Sequence, residues 1–490
     1  MREWPATVTR PPTHQSSAGA APGFDGPGLA AVTGGFLVQA ADRPVRGGAV
    51  DSRRVTPDAC FFALPGERTD GHRFLEEAVT AGAAALVVTE PLLPRRVATL
   101  VAGHPGGVSI VQVTDALAAL QATARAWRAR FTPLTVGITG SLAKTSTKEQ
   151  IAEVLAERWR VLRSEGNENN EVGLPLTLLR LSAEHEVAVL EMGMYVSGEI
   201  GLLADLAQPT IGVVTAVRGT HLSRAGSIDA IEEGKSELVR ALPAEGTAVL
   251  NADDARVVRM SGRTPASVLT YGFSEAADVR AEEVESLAER GMSFVLCAAG
   301  QRRRVTTSAL GRHSVHNALA AAAVGLASGL DLDAITRGLA RGFAAPHRTA
   351  LIAAGQWRIL DDSYNAAPDS MAAALHLLST LPGRRVAVLG EMLELGETSA
   401  EAHQTVGRLV AGIAELLVTV GPAAAAIAEG ARAAGLEAGR VFETTDRTSA
   451  LAVLLQRLRP GDVILVKASR GAALDWLVER LTALPDASPA

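Results

Sequence analysis

The sequence predicts an α/β protein of three domains. At 490 residues the chain has the length of about three domains of roughly 100–200 residues each. Apolar residues make up 47% and charged residues 20% of the chain, so each domain can bury a core. Short apolar runs alternate with helical patterns, which indicates mostly parallel sheets covered by helices on both faces.

The predicted domains follow a tail that spans residues 1–27. This tail is rich in Pro, Ala, Gly and Ser and lacks the apolar core of a signal peptide, so we expect it to be disordered. A smaller α/β N-terminal domain is predicted at 28–131, a central domain with a phosphate-loop type of sheet at 132–345, and a Rossmann-like C-terminal domain at 346–490.

Each predicted domain has its own strands and helices. The N-terminal domain has a strand at 84–89 and a helix at 116–130. The central domain has helices at 148–156, 229–242 and 318–330, and its predicted strands are Leu134–Thr139, Val187–Leu190, Ile211–Val217 and Ala248–Leu250. The predicted strands of the C-terminal domain are Arg358–Asp361, Arg385–Leu389, Leu416–Val420 and Val463–Lys467. No GxGxxG loop is present, so a dinucleotide is not indicated.

Charge and cysteine content exclude several protein classes. A net charge of −6 argues against nucleic-acid binding through phosphate contacts. Cys60 and Cys297 are the only cysteines and lack a CxxC spacing, which favours a reducing cytoplasm without disulfides or a zinc cluster. The longest apolar run, Ala318 to Leu330, is shorter than a membrane span. We expect a cytoplasmic protein without membrane insertion.

The segment 136–148 predicts a strand, a glycine turn and the start of a helix. Backbone N–H groups and the helix dipole at such a turn favour polyphosphate. Lys144 can reach the terminal phosphates, and Thr145 can offer an oxygen to Mg²⁺. The strict phosphate-loop pattern has glycine before the lysine, whereas this chain has Ala143, and an ordinary strand–turn–helix would explain the glycines equally well. A left-handed backbone at Ala143 would cost roughly 1–2 kcal/mol.

Three further residues could take part in the chemistry, although each also has an ordinary structural explanation when it is considered alone. Glu191 follows a predicted strand and could hold Mg²⁺, although a solvated glutamate explains it equally well. A lone His221 is more often structural than a ligand. Lys235 fits a surface charge pattern on a helix.

Taken in order, the motifs resemble the Mur ligases. These are ATP-dependent enzymes of peptidoglycan synthesis that join an amino acid or dipeptide to a nucleotide-linked muropeptide. The matching segments are 139–146, 167–179, 191–193, 221–222, 311–317, 361–370, 389–396 and 466–471. The segment DDSYNAAPDS at 361–370 is characteristic of the member that adds D-Ala-D-Ala to UDP-MurNAc-tripeptide. The resemblance therefore implies these two partners, together with ATP and Mg²⁺, and we expect a monomer.

The resemblance also implies roles for individual residues. Lys144 and Arg348 would act on the phosphates, and Lys144, His221, Lys235 and Arg348 are the implied catalytic set. The other implied nucleotide contacts are Gly140, Ser141, Leu142, Ala143, Thr145, Ser146, Asn317 and Asp362. Thr145 and Glu191 would serve one metal ion, and His221 and a carbamylated Lys235 a second. The implied substrate contacts are Ser52, Arg53, Asn169, Asn170 and Asn365.

The chemistry that the resemblance implies is amide formation through an acyl phosphate. ATP phosphorylates a peptide carboxylate, and the incoming amine then expels phosphate. Such a reaction needs charge neutralisation at the phosphoryl group. It also needs exclusion of water, so we expect the C-terminal domain to close about residues 343–348.

Two other hypotheses stay open at this point. One is a related ligase with another acceptor. The segment 361–370 argues against the preceding enzyme of the pathway but does not exclude a paralogue. The other is a catalytically silent nucleotide-binding protein, which is motivated by Ala143 and by Ser314, where the family has asparagine. The third residue of the tripeptide is also left open.

Overall fold

The structure is a computed structural model, and it describes residues 23–66, 69–219, 224, 226–343 and 345–484. These residues form three β-sheets of five, nine and six strands, which follow one another along the chain. The predicted α/β architecture is therefore confirmed. No helix in the described ranges combines the length and apolarity needed to cross a membrane.

The N-terminal sheet has the strand order β1-β5-β4-β3-β2. Only β1 runs antiparallel to its neighbour; the other pairs are parallel. The strands are β1 Phe36–Gln39, β2 Gly48–Ala49, β3 Cys60–Phe62, β4 Ala85–Val88 and β5 Ser109–Gln112. The helices are α1 Gly26–Thr33, α2 Leu75–Thr80, α3 Pro94–Ala102 and α4 Ala116–Arg128.

The ordered fold begins earlier than residue 28. Phe24 and Val45 exchange backbone hydrogen bonds of 3.0 and 2.7 Å, and the Phe24 ring packs 5.7 Å from that of Trp127. Asp25 caps α1 by accepting a hydrogen bond from the backbone of Gly28. Because these contacts bury an aromatic ring, residues 23–27 belong to the first domain, which corrects the end of the predicted tail. Residues 1–22 lie outside the described part of the chain.

The central sheet has the strand order β14-β13-β12-β11-β10-β9-β6-β8-β7. It is parallel from β7 to β12, and β12–β14 form an antiparallel meander that the sequence interpretation missed. The strands are β6 Leu134–Thr139, β7 Val161–Arg163, β8 Val187–Glu191, β9 Ile211–Val214, β10 Thr247–Asn251, β11 Ser267–Gly272, β12 Val279–Ser286, β13 Met292–Ala298 and β14 Gln301–Thr307. The helices are α5 Lys144–Leu155, α6 Gly173–Leu178, α7 Glu199–Ala207, α8 Ile228–Arg240, α9 Ala255–Val258, α10 Arg312–Ala327 and α11 Leu332–Ala340.

Two predicted boundaries in the central domain, one of a strand and one of a helix, were wrong. Strand β9 ends at Val214 rather than at residue 217, because the next residue, Thr215, turns to donate a hydrogen bond to the Leu142 carbonyl at 2.6 Å. Helix α5 begins at Lys144 rather than at residue 148. The glycine turn therefore leads directly into the helix.

The C-terminal sheet has the strand order β15-β16-β20-β17-β18-β19, with only β15 antiparallel to its neighbour. The strands are β15 Ala350–Ala354, β16 Trp357–Asp361, β17 Arg385–Gly390, β18 Leu416–Val420, β19 Val441–Thr444 and β20 Val463–Lys467. The helices are α12 Pro368–Thr380, α13 Ser399–Ala411, α14 Ala425–Ala433, α15 Arg447–Arg457 and α16 Asp475–Thr482.

A buried arginine joins the N-terminal domain to the central one. Arg128, at the end of α4, donates to the carbonyls of Ala207 at 3.0 Å and Phe131 at 2.8 Å, and to the Thr135 hydroxyl at 3.0 Å. Its side chain is 7% exposed. Since a buried acceptor without a donor is costly, this arginine stabilises the junction.

We expect Arg128→Ala to destabilise the protein by about 2–4 kcal/mol because it leaves buried oxygens without donors. For a chain of 490 residues, with about 2.1 cal/mol/K of unfolding entropy per residue, this loss corresponds to a fall of roughly 2–4 °C in melting temperature, which differential scanning calorimetry measures. The matched control is Arg125→Ala on the same helix, whose ion pair with Asp205 is exposed and contributes at most about 1 kcal/mol. Equal melting temperatures for both variants would contradict this role.

Candidate active site

The candidate site lies at the carboxyl end of β6, which is flanked by β9 and β8. Each of these three strands leads into a polar residue or a turn: β6 into the glycine turn, β8 into Glu191 at its last position, and β9 into Thr215. The carboxyl ends of parallel strands are the usual place for ligands. The fold therefore brings together three segments that the sequence separates.

The loop at 140–143 is held against the end of β9. Gly140 has a φ of 151°, and a Cβ there would lie 1.8 Å from the Thr215 hydroxyl oxygen. The Ser141 N–H donates to the Ala216 carbonyl at 2.8 Å. Only glycine permits this approach, so the loop forms a backbone cradle of the kind that binds phosphate groups.

Ala143 occupies the position where the strict pattern has glycine. Its backbone is left-handed, with φ 65° and ψ 1°, directly before helix α5. An L-residue in this conformation costs roughly 1–2 kcal/mol. The side chain is exposed, so the alanine strains the backbone but causes no steric clash.

Lys144 lies at the first position of α5 and folds back over the loop. Its ammonium donates to the Gly140 carbonyl at 2.7 Å. Burial lowers the pKa of Lys144, as does the charge of Arg348, while Glu191 opposes the shift. The lysine and Arg348 are thus close enough to interact across the two domains.

Glu191 is buried and held by three neighbours. Its carboxylate accepts hydrogen bonds from the Thr145 hydroxyl and the Asn169 amide, each at 2.8 Å. Its backbone N–H donates to the Ser164 hydroxyl at 3.1 Å. A hydroxyl and a carboxylate in contact are hard oxygen donors of the type that Mg²⁺ prefers, so Thr145 and Glu191 fit the predicted metal site. Asn169, predicted as a substrate contact, orients the carboxylate.

Lys235 lies on α8 and is buried. No hydrogen bond or ion pair joins its ammonium to another residue of the described ranges. Burial holds the pKa of Lys235 well below its ordinary value, and the charge of Lys144 lowers it further. The structure thus places this lysine inside the protein rather than on the predicted charged surface. His221 lies outside the described residues.

Two predicted nucleotide contacts lie on different domains, Asn317 within helix α10 and Asp362 directly after strand β16. The Asn317 amide oxygen, buried on α10, accepts a hydrogen bond from the Thr147 hydroxyl at 3.1 Å. Asp362 follows β16 and accepts from Lys467 at 2.5 Å and from the Thr349 N–H at 3.1 Å. Sequence interpretation missed Lys467, although its motif at 466–471 was noted.

Arg348 stacks on an aromatic ring at the entrance to the C-terminal domain. Its guanidinium carbon lies 4.0 Å from the centre of the Tyr364 ring, and Arg470 donates to the hydroxyl of the same ring at 3.2 Å. His347 and Thr349, on either side of Arg348, both have positive φ, at 59° and 55°. This conformation is rare for a β-branched residue such as Thr349, so the linker is strained where the chain passes between domains.

The remaining predicted substrate residues engage their own neighbours. Ser52 donates to Glu77 at 3.0 Å, and the exposed Arg53 forms a two-bond pair with Asp51. Asn170 accepts at 2.9 Å from the N–H of Gly173, the first residue of α6. Asn365 is exposed and accepts from the Ala366 N–H. The described contacts do not join Ser52 or Arg53 to the phosphate loop.

Three family models match successive parts of the chain. The Mur ligase family catalytic domain matches residues 45–128, the Mur ligase middle domain matches 138–325, and the Mur ligase glutamate ligase domain matches 347–470.

Curated relatives cover most of the chain. A UDP-N-acetylmuramoyl-tripeptide–D-alanyl-D-alanine ligase from Synechocystis is 39% identical over 88% of this chain and 91% of its own. The enzyme of the same name from Escherichia coli is 36% identical over 91% and 95% of the two chains. Among solved structures, MurF from Acinetobacter baumannii is similar with a TM-score of 0.83 at 29% identity, covering 95% of this chain and 99% of that one. MurF from Thermotoga maritima in complex with ADP is similar with a TM-score of 0.76 at 27% identity, covering 89% and 97%.

We expect Ala143→Gly to raise the melting temperature slightly. Glycine removes the left-handed strain of roughly 1–2 kcal/mol, and the greater freedom of the unfolded chain offsets about 0.4–1 kcal/mol of that gain. Thermal unfolding of the nucleotide-free protein measures the net effect. As a control, Ala156→Gly places glycine at the end of the same helix, where the backbone is right-handed, and should not stabilise. Destabilisation by Ala143→Gly would show that no strain is stored there.

Proposed function

The chain belongs to the Mur ligase family, and from this premise we propose that it ligates D-alanyl-D-alanine to UDP-N-acetylmuramoyl-tripeptide, with conversion of ATP to ADP and phosphate. The observation that carries the proposal is the buried Thr145–Glu191 pair beside the Lys144 loop, which is a constellation for metal-assisted phosphoryl transfer. The substrates are those in the names of relatives that match nearly the whole chain.

The reaction joins a carboxylate to an amine. The tripeptide carboxylate is phosphorylated by ATP to give an acyl phosphate, and the amine of D-Ala-D-Ala attacks it and expels phosphate. Lys144 and Arg348 supply positive charge from two domains to the phosphoryl oxygens. The backbone cradle at Gly140 holds the phosphate chain while the reacting atoms are brought into line.

Mg²⁺ is the metal ion that this donor set suits. Thr145 and Glu191 would hold it, and Asn169 keeps the carboxylate oriented. The ion supplies neutralisation of negative charge at the phosphates. Arg348 is kept in place by its stacking on Tyr364.

Lys235 would become a second metal ligand by reaction with CO₂. A lysine amine of unperturbed pKa about 10.4 is cationic at neutral pH and repels a metal ion. The lowered pKa of Lys235 favours the neutral amine, which is the form that adds CO₂. Addition of CO₂ to the amine releases a proton to solvent and gives an anionic carbamate, which would attract Lys144. His221 is the partner ligand that the family resemblance implies.

The linker beside Arg348 would be the hinge of domain closure. The positive φ angles of His347 and Thr349 concentrate backbone strain at this point. Closure would bring Asp362 towards the phosphate loop, where Arg348 already interacts with Lys144, and would exclude water, which would hydrolyse the acyl phosphate. With the start of the first domain corrected to residue 23, we propose domain bounds of 23–131, 132–345 and 346–490. We also propose that the enzyme acts in the cytoplasm and that the substrates lie against Ser52, Arg53, Asn169, Asn170 and Asn365.

We expect phosphate release from ATP to depend on UDP-MurNAc-tripeptide, and ligated product to form with D-Ala-D-Ala but not with single amino acids. Mass spectrometry identifies the product, and a coupled assay measures ADP. Lys144→Ala should abolish turnover, because the charge over the phosphates is lost, and should leave the melting temperature nearly unchanged. Lys148 lies on the same helix and donates to the Ser164 carbonyl. The variant Lys148→Met therefore tests whether removal of another lysine from this helix also abolishes turnover.

A product with another amine would favour the hypothesis of a paralogue. No turnover with any muropeptide would favour the silent nucleotide-binding protein. Near-normal rates in Lys144→Ala would refute the placement of the triphosphate at this loop.

We expect Lys235→Met to stabilise the metal-free protein in buffer free of CO₂ at pH 7. The lowered pKa means that the unfolded chain binds more protons than the folded one, so stability rises with pH up to the ordinary lysine pKa. The advantage of the methionine variant should therefore shrink as the pH rises towards about 10. Bicarbonate should raise the melting temperature of the wild type alone, since a ligand that binds only the folded state stabilises it.

Calorimetry over this pH range with EDTA present measures both effects, and ¹³C-labelled bicarbonate gives a carbamate NMR signal to compare between wild type and variant. An advantage of Lys235→Met that grows with pH would contradict the lowered pKa. A carbamate signal in both proteins would assign the modification to another amine.

A further inference from the structure

Arg218 connects the phosphate loop to the C-terminal domain, and no part of the proposed mechanism uses it. Its backbone is bound on both sides by one hydroxyl: the Arg218 N–H donates to Ser141 Oγ at 2.9 Å, and Ser141 Oγ donates to the Arg218 carbonyl at 3.0 Å. Ser141 was predicted as a nucleotide contact through its place in the loop. Its hydroxyl instead attaches the loop to the chain segment that follows β9.

The guanidinium of Arg218 is anchored within the central domain. It pairs with the buried Asp254 and donates to its own neighbour, the Val217 carbonyl, at 2.9 Å. Asp254 also accepts from the Val217 N–H at 2.9 Å and caps helix α9. These bonds restrict the direction of the side chain, so little conformational entropy remains to be lost when it meets a further partner.

The free edge of the guanidinium reaches the C-terminal domain. Arg218 Nε donates to Asp369 Oδ2 at 3.0 Å, and the two side chains are 42% and 57% exposed. Asp369 lies in the first turn of α12 and is the second-last residue of the segment 361–370, which also holds Asp362. Among the described residues, Arg218 is the partner of this carboxylate.

We propose that Arg218 is a positioning residue that docks the C-terminal domain onto the phosphate loop through Asp369. The proposal rests on the proposed function, because it is the transfer of the phosphoryl group that requires groups of both domains to meet. One residue is bound to Ser141 by its backbone and to Asp369 by its side chain, so the position of α12 is tied to the wall of the phosphate cradle.

This contact contributes little to the free energy of unfolding, but it acts directly on the docking of the C-terminal domain. Exposed ion pairs change an equilibrium by about two- to fivefold, which is invisible in the unfolding of a large chain. The equilibrium between the open and docked positions of the domain changes by the full factor of about two- to fivefold, since the pair forms only in the docked state. Salt should weaken the effect, because both side chains are partly in solvent.

The test uses the full chain with Asp369→Asn. A donor dye and an acceptor dye, attached to cysteines introduced at the exposed Glu245 and Glu479, report the distance between the domains by energy transfer. The native Cys60 and Cys297 are buried and so are poor sites for labelling. We expect the variant to reduce the docked fraction with a non-hydrolysable ATP analogue, and kcat of ligation, by about two- to fivefold, with an unchanged melting temperature. Asp369→Glu should restore both.

Asp475→Asn is the matched control, because Asp475 is also an acidic residue in the first turn of a C-terminal helix but has no partner in the central domain among the described residues. Equal docking and kcat in Asp369→Asn and Asp475→Asn would overturn the proposal, as would a docked fraction of the wild type that does not fall with salt. If the wild type docks but ligates nothing, the proposed function fails. Reduced docking in Asp369→Asn would then still support the role of Arg218.

Discussion

The close approach of the Gly140 backbone to Thr215 is the constraint on which the rest of the site depends. It turns the chain from β6 towards helix α5, and so places Lys144 at the first turn of that helix and Thr145 beside Glu191. A side chain at position 140 would push β9 and the loop apart. The position next to the lysine tolerates alanine because its side chain points to solvent, and the cost is paid as backbone strain.

The site brings two lysine side chains close together. Lys144 and Lys235 are both deprived of water and repel one another, and each has a lowered pKa. Lys144 is partly compensated by the Gly140 carbonyl and by Glu191, whereas a buried charge on Lys235 would be costly. Polyphosphate, metal ions and a carbamate would each replace a repulsion by an attraction.

The two sides of the site are joined by contacts of different character. On the C-terminal side, Asp362 is held by Lys467, and Arg348 by the ring of Tyr364, so these groups are ordered before the domains meet. Between the domains, the described contacts include partly exposed ion pairs, among them Arg218 with Asp369, Arg224 with Glu394 and Arg358 with Glu289. Rigid groups on each domain and a weak contact between them are what a reversible closing motion requires.

The sequence by itself determined the α/β class, the order of the three sheets and the motifs around Lys144 and Glu191, because strand–helix alternation and glycine turns are local patterns. It did not reveal the β12–β14 meander, whose pairing depends on contacts between segments, nor the burial of Lys235, whose helix pattern is equally that of an exposed surface. The partners of Ser141, Asp362 and Asp369 were decided only by the tertiary structure. Such hydrogen bonds join residues up to 151 positions apart, and no spacing along the chain encodes which side chains will face one another.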